Sequence, residues 1–347
     1  MTRDAGRPGG GRRDAGCGTA SEASASSPGA APASRTAHPA SRYVTADVFT
    51  NTRFGGNPLA VFPDATGIPE AMLQRIAKEF NFSETVFVYP PEHPAHTRKL
   101  RIFTPGAEIP FAGHPTVGAA HVLAAMRAVP LPAGGGDAQI LFEEGVGVVP
   151  VRVQMRGGVP VFAQLTAAKL PEVGPPAPGR SVLADLLSLD ASELLGGMWA
   201  PQAVSCGLPF LFVPVRDLNA VRRARVRFDL WESILKSYWA PELMVFSREV
   251  ERVGSDIHAR VFVPGLSVPE DPATGSAATA LGGYLAARES NTSSSPTSAP
   301  LTYVVEQGFE MGRPSIIHIE VDRSDGAVTA IRVGGETVIM MEGEMRL

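Results

Sequence analysis

Two stretches of this chain are apolar on every side. Residues 115–126 (PTVGAAHVLAAM) carry only Thr116 and His121 as polar side chains, and residues 272–287 (PATGSAATALGGYLAA) carry no charge at all. A helix without a polar face has to be surrounded by protein. The many Gly and Ala residues in both let neighbouring backbones approach closely. A helix over 70–80 has a different pattern: Met72, Leu73, Ile76, Ala77 and Phe80 fall at helical spacing among polar residues, and Pro69 fixes its start. Further helices are expected near 182–189 and 229–238. Alternating and β-branched runs predict strands over 43–49, 59–62, 85–89, 99–103, 140–142, 146–155 and 159–165. A second set follows near 203–206, 210–215, 242–247, 257–263, 302–306, 315–321, 327–333 and 337–342.

One phrase occurs twice. Residues 101–110 read RIFTPGAEIP and residues 260–269 read RVFVPGLSVP, at an offset of 159. Each copy ends in a turn, FAGHPT in the first and EDPATGS in the second, and each turn opens one of the two all-apolar helices. A period of this length is far too long for a solenoid. It predicts an α+β fold of two similar lobes, each a mixed, curled β-sheet wrapped around a central apolar helix. Prolines near the first helical positions fix both helix starts. If the lobes face each other, the two helix N-termini point into one cleft, with His114, Asp271 and Ser276 close together. Helix N-termini carry free N–H groups and the positive dipole end, and so suit an anion.

Residues 1–41 are rich in Gly, Ala, Ser, Pro and Arg, cannot bury enough surface to fold, and read as a disordered tail. The expected lobes are 42–170 and 180–335, with a Pro/Gly-rich hinge at 171–179 and a closing C-terminal strand at 336–347. Residues 290–300 read as a low-complexity surface insert. The tail has no apolar core of a secretory signal. Its arginines leave room for an organelle transit peptide, against which Asp4, Asp14, Glu22 and the Gly/Pro content count. A cytoplasmic location is the expectation.

The chain has 347 residues, 44% of them hydrophobic, enough for two ordinary cores. A net charge of -4 gives no electrostatic reason for nucleic-acid binding. The basic cluster 222–227 alternates with apolar residues and reads as a solvated edge or loop. No apolar run is long enough to span a membrane. The two cysteines, Cys17 and Cys206, lie in a tail and an apolar segment, so no disulfide is expected, and no Cys/His spacing suggests a metal. Gly134-Gly135-Gly136 has no GKS or GKT after it, and neither GxGxxG after a strand nor GxSxG occurs.

Glu84 stands alone at the mouth of an apolar strand, after Phe82 and before Val86 and Phe87. Burial there would raise its pKa and suit it to proton transfer near neutral pH; on position alone, an exposed strand-start glutamate is the favoured reading. His114 follows Gly113 at a helix start, either a hydrogen-bond donor to substrate or a packed turn residue. Asp271 precedes Pro272 where an N-cap belongs. Gly275 and Ser276 lie in the first turn and either hold an oxyanion or pack as small residues.

Together these residues resemble the PhzF family of phenazine-biosynthesis-like isomerases, which share the diaminopimelate epimerase fold. The matching phrases are DVFTNTRFGGNPLAVF (47–62), FSETVFV (82–88), RIFTPGAEIPFAGHPTVGAAHVL (101–123), DPATGSAA (271–278) and EQGFEMGRPS (306–315), in family order. The resemblance implies Glu84 as general acid/base, with His114 and Asp271 beside it as catalytic residues. It implies Gly113, Gly275 and Ser276 as substrate-binding residues, with Asn57 and Gln307 bordering the same cleft. Epimerases and racemases of this fold use two facing cysteines; neither turn here holds one, so a two-thiol mechanism is out. In the type enzyme one glutamate moves a proton from C3 to C1 of trans-2,3-dihydro-3-hydroxyanthranilate without a cofactor. The implied function is a cofactor-independent isomerase acting on a small carboxylate-bearing substrate, as a homodimer. The alternatives are a non-catalytic ligand- or partner-binding protein on the same fold, and a carboxylate-driven epimerase or dehydratase.

Overall fold

The computed structural model describes residues 40–132, 136–266, 268–289 and 299–347. Residues 1–39 of the expected tail, 290–298 of the expected insert, Cys17, Gly134 and Gly135 lie outside the described residues. The first half contains β1 (Ala40–Val48), β2 (Asn57–Phe62), α1 (Glu70–Phe80), β3 (Glu84–Tyr89), β4 (Arg98–Phe103), β5 (Glu108–Ile109), α2 (Gly113–Ala125), β6 (Ala138–Glu144), β7 (Gly147–Arg156) and β8 (Val159–Thr166). The second contains β9 (Glu172–Val173), α3 (Arg180–Leu187), β10 (Gln202–Ser205), β11 (Pro209–Pro214), α4 (Leu218–Arg223), α5 (Phe228–Ile234) and β12 (Glu242–Ser247). It continues with β13 (Ile257–Val263), β14 (Val268–Asp271), α6 (Gly275–Glu289), β15 (Leu301–Gln307), β16 (Ser315–Ser324), β17 (Ala327–Gly335) and β18 (Thr337–Arg346).

The two halves are wired alike. The first sheet runs β18-β1-β2-β3-β4-β6-β7-β8, with β2–β3 and β4–β6 parallel and the other pairs antiparallel. The second runs β9-β10-β11-β12-β13-β15-β16-β17, again with its third and fifth pairs, β11–β12 and β13–β15, parallel. Short β5 and β14 flank β4 and β13 in the same way. The lobes join where β8 pairs with β17. Each sheet also borrows its first strand: β9, which follows β8 in the chain, edges the second sheet, and β18, which follows β17, edges the first.

The all-apolar helices fill the two sheets. Every residue of α2 from Gly113 to Ala124 is buried, and α6 is buried along nearly its whole length. Val48, Leu59, Val86 and Ile102 pack around α2, while Phe210, Phe212, Met244 and Phe246 belong to the same continuous core around α6. The opposite sheet faces are covered by α1 in the first lobe and by α3, α4 and α5 in the second. The repeated phrase has a packing cause. Arg101 lies over the Phe103 ring at 5.2 Å and is bonded to Glu70 and Glu108; Arg260 lies over the Phe262 ring at 4.9 Å and is bonded to Glu270. Arg-x-Phe thus builds the same cation–π contact once per lobe.

Three local expectations need correction. Asp271 is not an N-cap: it ends β14, and α6 starts only at Gly275, so Pro272 lies outside the helix. The basic cluster 222–227 is partly helical, because Asp217 caps α4 by accepting from the Ala220 N–H at 2.8 Å and Arg222 and Arg223 form its last turn. Both arginines there face the negative end of the helix dipole. The first strand begins at Ala40, inside the segment expected to be tail, because 40–43 extend the ladder with β18.

Candidate active site

The starts of α2 and α6 meet backbone to backbone. A Cβ placed on Gly113 would lie 2.5 Å from the Gly275 carbonyl carbon, and one on Gly275 would lie 2.9 Å from the Gly113 carbonyl carbon. Only glycine at both positions permits this approach. It brings two sets of free first-turn N–H groups to one place, those of Gly113 and His114 with those of Gly275 and Ser276. No side chain caps α2.

Glu84 is the first residue of β3 and points inward with Val86 and Val88, on the face that packs around α2. It is buried, which decides against the exposed strand-start reading. Its Oε2 lies 3.3 Å from His114 Nε2, outside hydrogen-bond geometry, and both atoms are buried without a partner. Burial, reinforced by the negative charge of Asp271, pushes the Glu84 carboxyl well above its ordinary range. Burial also drives His114 down to about 3, so its ring is neutral.

Asp271, at the end of β14, is the opposite case. Its Oδ1 accepts from Asn57 Nδ2 and Ser83 Oγ, both at 2.8 Å, and its Oδ2 accepts from Thr274 Oγ1 at 2.6 Å. Burial raises this carboxyl too, but the three hydrogen bonds oppose the rise. Two neighbouring carboxyls, one with three donors and one with none, have their roles separated by environment. Asp271 carries the donors that favour an ionised carboxylate, and Glu84 carries none.

Asn57 fixes the histidine. Its amide nitrogen is held by Asp271 and by the Ala273 carbonyl at 2.9 Å, so the amide cannot be flipped, and the same nitrogen lies 3.2 Å from His114 Nδ1. The amide's two hydrogens serve Asp271 and Ala273, and a nitrogen with no acceptor lone pair facing Nδ1 disfavours a proton there, which assigns the ring proton to Nε2, toward Glu84. Gln307 performs a parallel task. Its Nε2 donates to the Asp271 carbonyl at 2.7 Å and to Thr274 Oγ1 at 3.0 Å, and its Oε1 accepts from the Thr274 N–H at 3.1 Å. Asn57 and Gln307 are fully buried one layer behind the cavity.

The cavity itself is about 20 Å³, lined on one side by Ser83, Glu84, Thr104 and Ala112 and on the other by Asp271, Thr274 and Ser276, under an apolar roof that includes Phe210 and Leu266. That is room for about one water molecule. The cavity as it stands is smaller than an organic substrate. The structure brings together all the residues singled out in the sequence. Ser83, Thr274 and Arg313 were missed, although each lies inside a matched phrase. Arg313 binds Asp47 Oδ1 at 2.6 Å and the carbonyls of Gly55 and Gly56, which fixes the turn that presents Asn57.

One further carboxyl corresponds to Glu84. Leu59 pairs with Glu84 and Thr85 with Phe103 in the first lobe, as Phe210 pairs with Glu242 and Leu243 with Phe262 in the second. Glu242 thus stands where Glu84 stands, at the mouth of the other sheet. It is buried, its Oε2 has no partner, and burial pushes it up to about 7. It lies against Gly265 and forms no part of the cavity wall. Among the described residues no group of three His, Cys, Asp or Glu side chains could hold a metal ion, and no helix is long and apolar enough to cross a membrane.

The chain matches the family described as phenazine biosynthesis-like protein (PhzC-PhzF) over residues 46–343. It is 39% identical over 307 residues to an uncharacterized isomerase of Mesorhizobium japonicum, a match covering 87% of this chain and 98% of the relative. It is 30% identical over 314 residues to the trans-2,3-dihydro-3-hydroxyanthranilate isomerase of Pseudomonas aeruginosa, covering 88% and 99%. The crystal structure of a PhzF-family phenazine biosynthesis protein from Bacillus anthracis superposes with a TM-score of 0.77 at 25% identity, covering 89% of this chain and all (100%) of that one. In fold and in sequence alike, the chain belongs to the phenazine biosynthesis-like PhzC-PhzF family and is an isomerase.

Proposed function

We propose that the protein is a cofactor-independent isomerase that moves a proton between two carbons of a small carboxylate-bearing substrate, of the trans-2,3-dihydro-3-hydroxyanthranilate class, with Glu84 as the sole acid/base. The observation that carries this reading is the state of Glu84: buried, unpartnered and facing the cavity, beside a carboxylate that is fully hydrogen-bonded. In the reaction, Glu84 takes a proton from a carbon alpha or vinylogous to the substrate carboxylate. The released electron pair spreads into that carboxylate, and the neutral Glu84 returns the proton to another carbon of the same conjugated system. Bonds made and broken balance, and nothing is oxidised or reduced. The N–H groups at the starts of α2 and α6 and the Ser276 hydroxyl hold the substrate carboxylate and stabilise the charge that develops there. His114 and Asp271 orient and balance charge.

A positioned general acid/base contributes about 10²–10⁴-fold, and each fixed oxyanion donor about 10²–10³-fold. The test is NMR in D₂O with wild type and Glu84→Gln, using trans-2,3-dihydro-3-hydroxyanthranilate and a panel of cyclic and unsaturated amino and hydroxy acids. Deuterium incorporation with product formation, lost in the variant, supports the reading. Exchange that survives Glu84→Gln removes Glu84 from the mechanism. Water loss, or inversion at a single carbon, replaces isomerisation with a dehydratase or epimerase.

A further inference from the structure

The duplication pairs Glu144 with Gln307. β4 meets β6 through Arg98↔Phe142 and Lys99↔Glu143, and β13 meets β15 through Ile257↔Val305 and His258↔Glu306. Arg98 and Lys99 correspond to Ile257 and His258 at the offset of the repeat, 159. Glu143 therefore matches Glu306, and the next residue, Glu144, matches Gln307. The Glu143/Glu306 pair confirms the alignment in detail. Glu143 accepts the backbone N–H groups of Glu92 and His93 and lies 2.7 Å from His96 Nδ1. Glu306 accepts those of Glu251 and Arg252 and lies 2.7 Å from His258 Nδ1.

Gln307 braces the entry to α6, and Glu144 meets the entry to α2. Thr116 Oγ1 lies 2.7 Å from Glu144 Oε1 and 2.8 Å from the Ala112 carbonyl, while Glu144 Oε2 is buried without a partner. Thr116 has one hydroxyl hydrogen for two acceptors. An ionised Glu144 takes that hydrogen, leaves the Ala112 carbonyl only the Thr116 N–H at 3.3 Å, and keeps a buried, charged Oε2 with no donor at all. A carboxyl carrying its own hydrogen on Oε1 donates to Thr116 Oγ1, which in turn donates to Ala112, and the chain of donors is complete. A buried polar group left without its partner is costly, so the count favours the neutral acid.

We propose that Glu144 is carried as a neutral carboxylic acid and is a positioning residue, bracing the Ala112–Gly113–His114 turn through Thr116 as Gln307 braces Thr274 in the other lobe. Its bearing on catalysis rests on the assignment of His114 and Glu84 above; its protonation does not. The surroundings agree. Burial pushes Glu144 up to about 8, opposed only by the Thr116 hydrogen bond. On α2, His114 and His121 are neutral, pushed by burial to about 3 and about 4. On β6, Glu143 is engaged with the 92–96 loop. On β7, Arg152 pairs with Asp137, and on β4, Arg98 is bonded to the carbonyls of Thr97 and Ala128 and Arg101 to Glu70 and Glu108. Across the cleft, Cys206 stays a thiol, pushed up to about 12.

A carboxyl raised in the folded state adds stability that is complete below its unfolded pKa and lost as pH rises through the folded one. Glu144→Gln keeps a donor to Thr116 and cannot ionise. In equilibrium unfolding from pH 4 to 9, the wild-type unfolding constant should rise relative to Glu144→Gln about tenfold per pH unit between about 4.5 and 8, and run parallel outside that window. A constant ratio across the range overturns the proposal, and needs no substrate to be seen. For the positioning role, Glu144→Leu and Thr116→Val should slow deuterium exchange at pH 7 by roughly tenfold or more, and Glu144→Gln should restore the rate and remove the alkaline loss. Equal loss in Glu144→Gln and Glu144→Leu overturns the brace. If exchange is instead indifferent to Glu84→Gln, the site assignment fails while the unfolding ratio still reports on Glu144.

Discussion

Gly113→Ala puts a single methyl group where the two lobes touch. Its Cβ would stand 2.5 Å from the Gly275 carbonyl carbon, 2.6 Å from Gly275 Cα and 2.7 Å from Ser276 N, closer than the 3.0 Å that real Cβ atoms keep. Reaching 3.0 Å from 2.5 Å requires a parting of about 0.5 Å, and an unstrained contact requires more. The obstacle is the backbone of a buried helix, so no side chain can rotate out of the way. Overpacking of a core costs about 1–3 kcal/mol, and the lack of any relief places this change near 3. For a folded body of this size that is a fall in Tm of about 5 °C. Calorimetry measures it, with Gly67→Ala as the control, because a Cβ there meets nothing within 4 Å and its φ is ordinary. The same parting moves His114 away from Ser276, and misplacement approaching 1 Å costs on the order of 10²-fold in rate. A Gly113→Ala protein that melts within a degree of wild type would refute the backbone contact.

Two further changes test the buried polar groups. Glu242→Gln should be more stable than wild type above neutral pH. The raised carboxyl contributes most below its unfolded pKa and loses that contribution as pH rises through about 7, so the difference grows over pH 4.5–7 to a ceiling of about 3 kcal/mol; equal stability at pH 5 and pH 8.5 would show that this carboxyl is not buried. Asn57→Ala strips a donor from Asp271 and from the Ala273 carbonyl and removes the amide that faces His114 Nδ1. It should cost about 2 kcal/mol or more in urea unfolding, against a few tenths for a surface asparagine, and should abolish exchange.

The lobes were readable in the chain because their signals are local. Arg-x-Phe-x-Pro-Gly repeats because each lobe needs the same cation–π contact and turn, and α2 and α6 lack a polar face because each lies inside a sheet. Glu84 stood out because it interrupts an apolar strand. Asp271 has a cap's position in the sequence because the residues after it suit a helix start, while the backbone delays the helix to Gly275 and the side chain gathers donors from Asn57, Ser83 and Thr274. Asn57 and Ser83 lie far from Asp271 in the chain, and no local pattern encodes such a convergence. Glu242 stayed hidden because SETVFV and PELMVF share only the glutamate in register; the strand pairing had to be seen first.

The exchanged edge strands impose an order on synthesis. β1, the first strand described, pairs along its whole length with β18, whose last paired residue, Arg346, faces Ala40. Until β18 has left the ribosome, β1 offers an open row of backbone donors and acceptors on that side, a template for pairing with another chain. Contacts of such sequence separation also close slowly, since the intervening loop must be ordered first. The first lobe cannot finish as an independent unit before the second, so the nascent chain carries an unfinished sheet while the second lobe is made. Chaperone dependence and inclusion-body formation are therefore the characteristic hazards of this topology, and they are set by where the last strand goes.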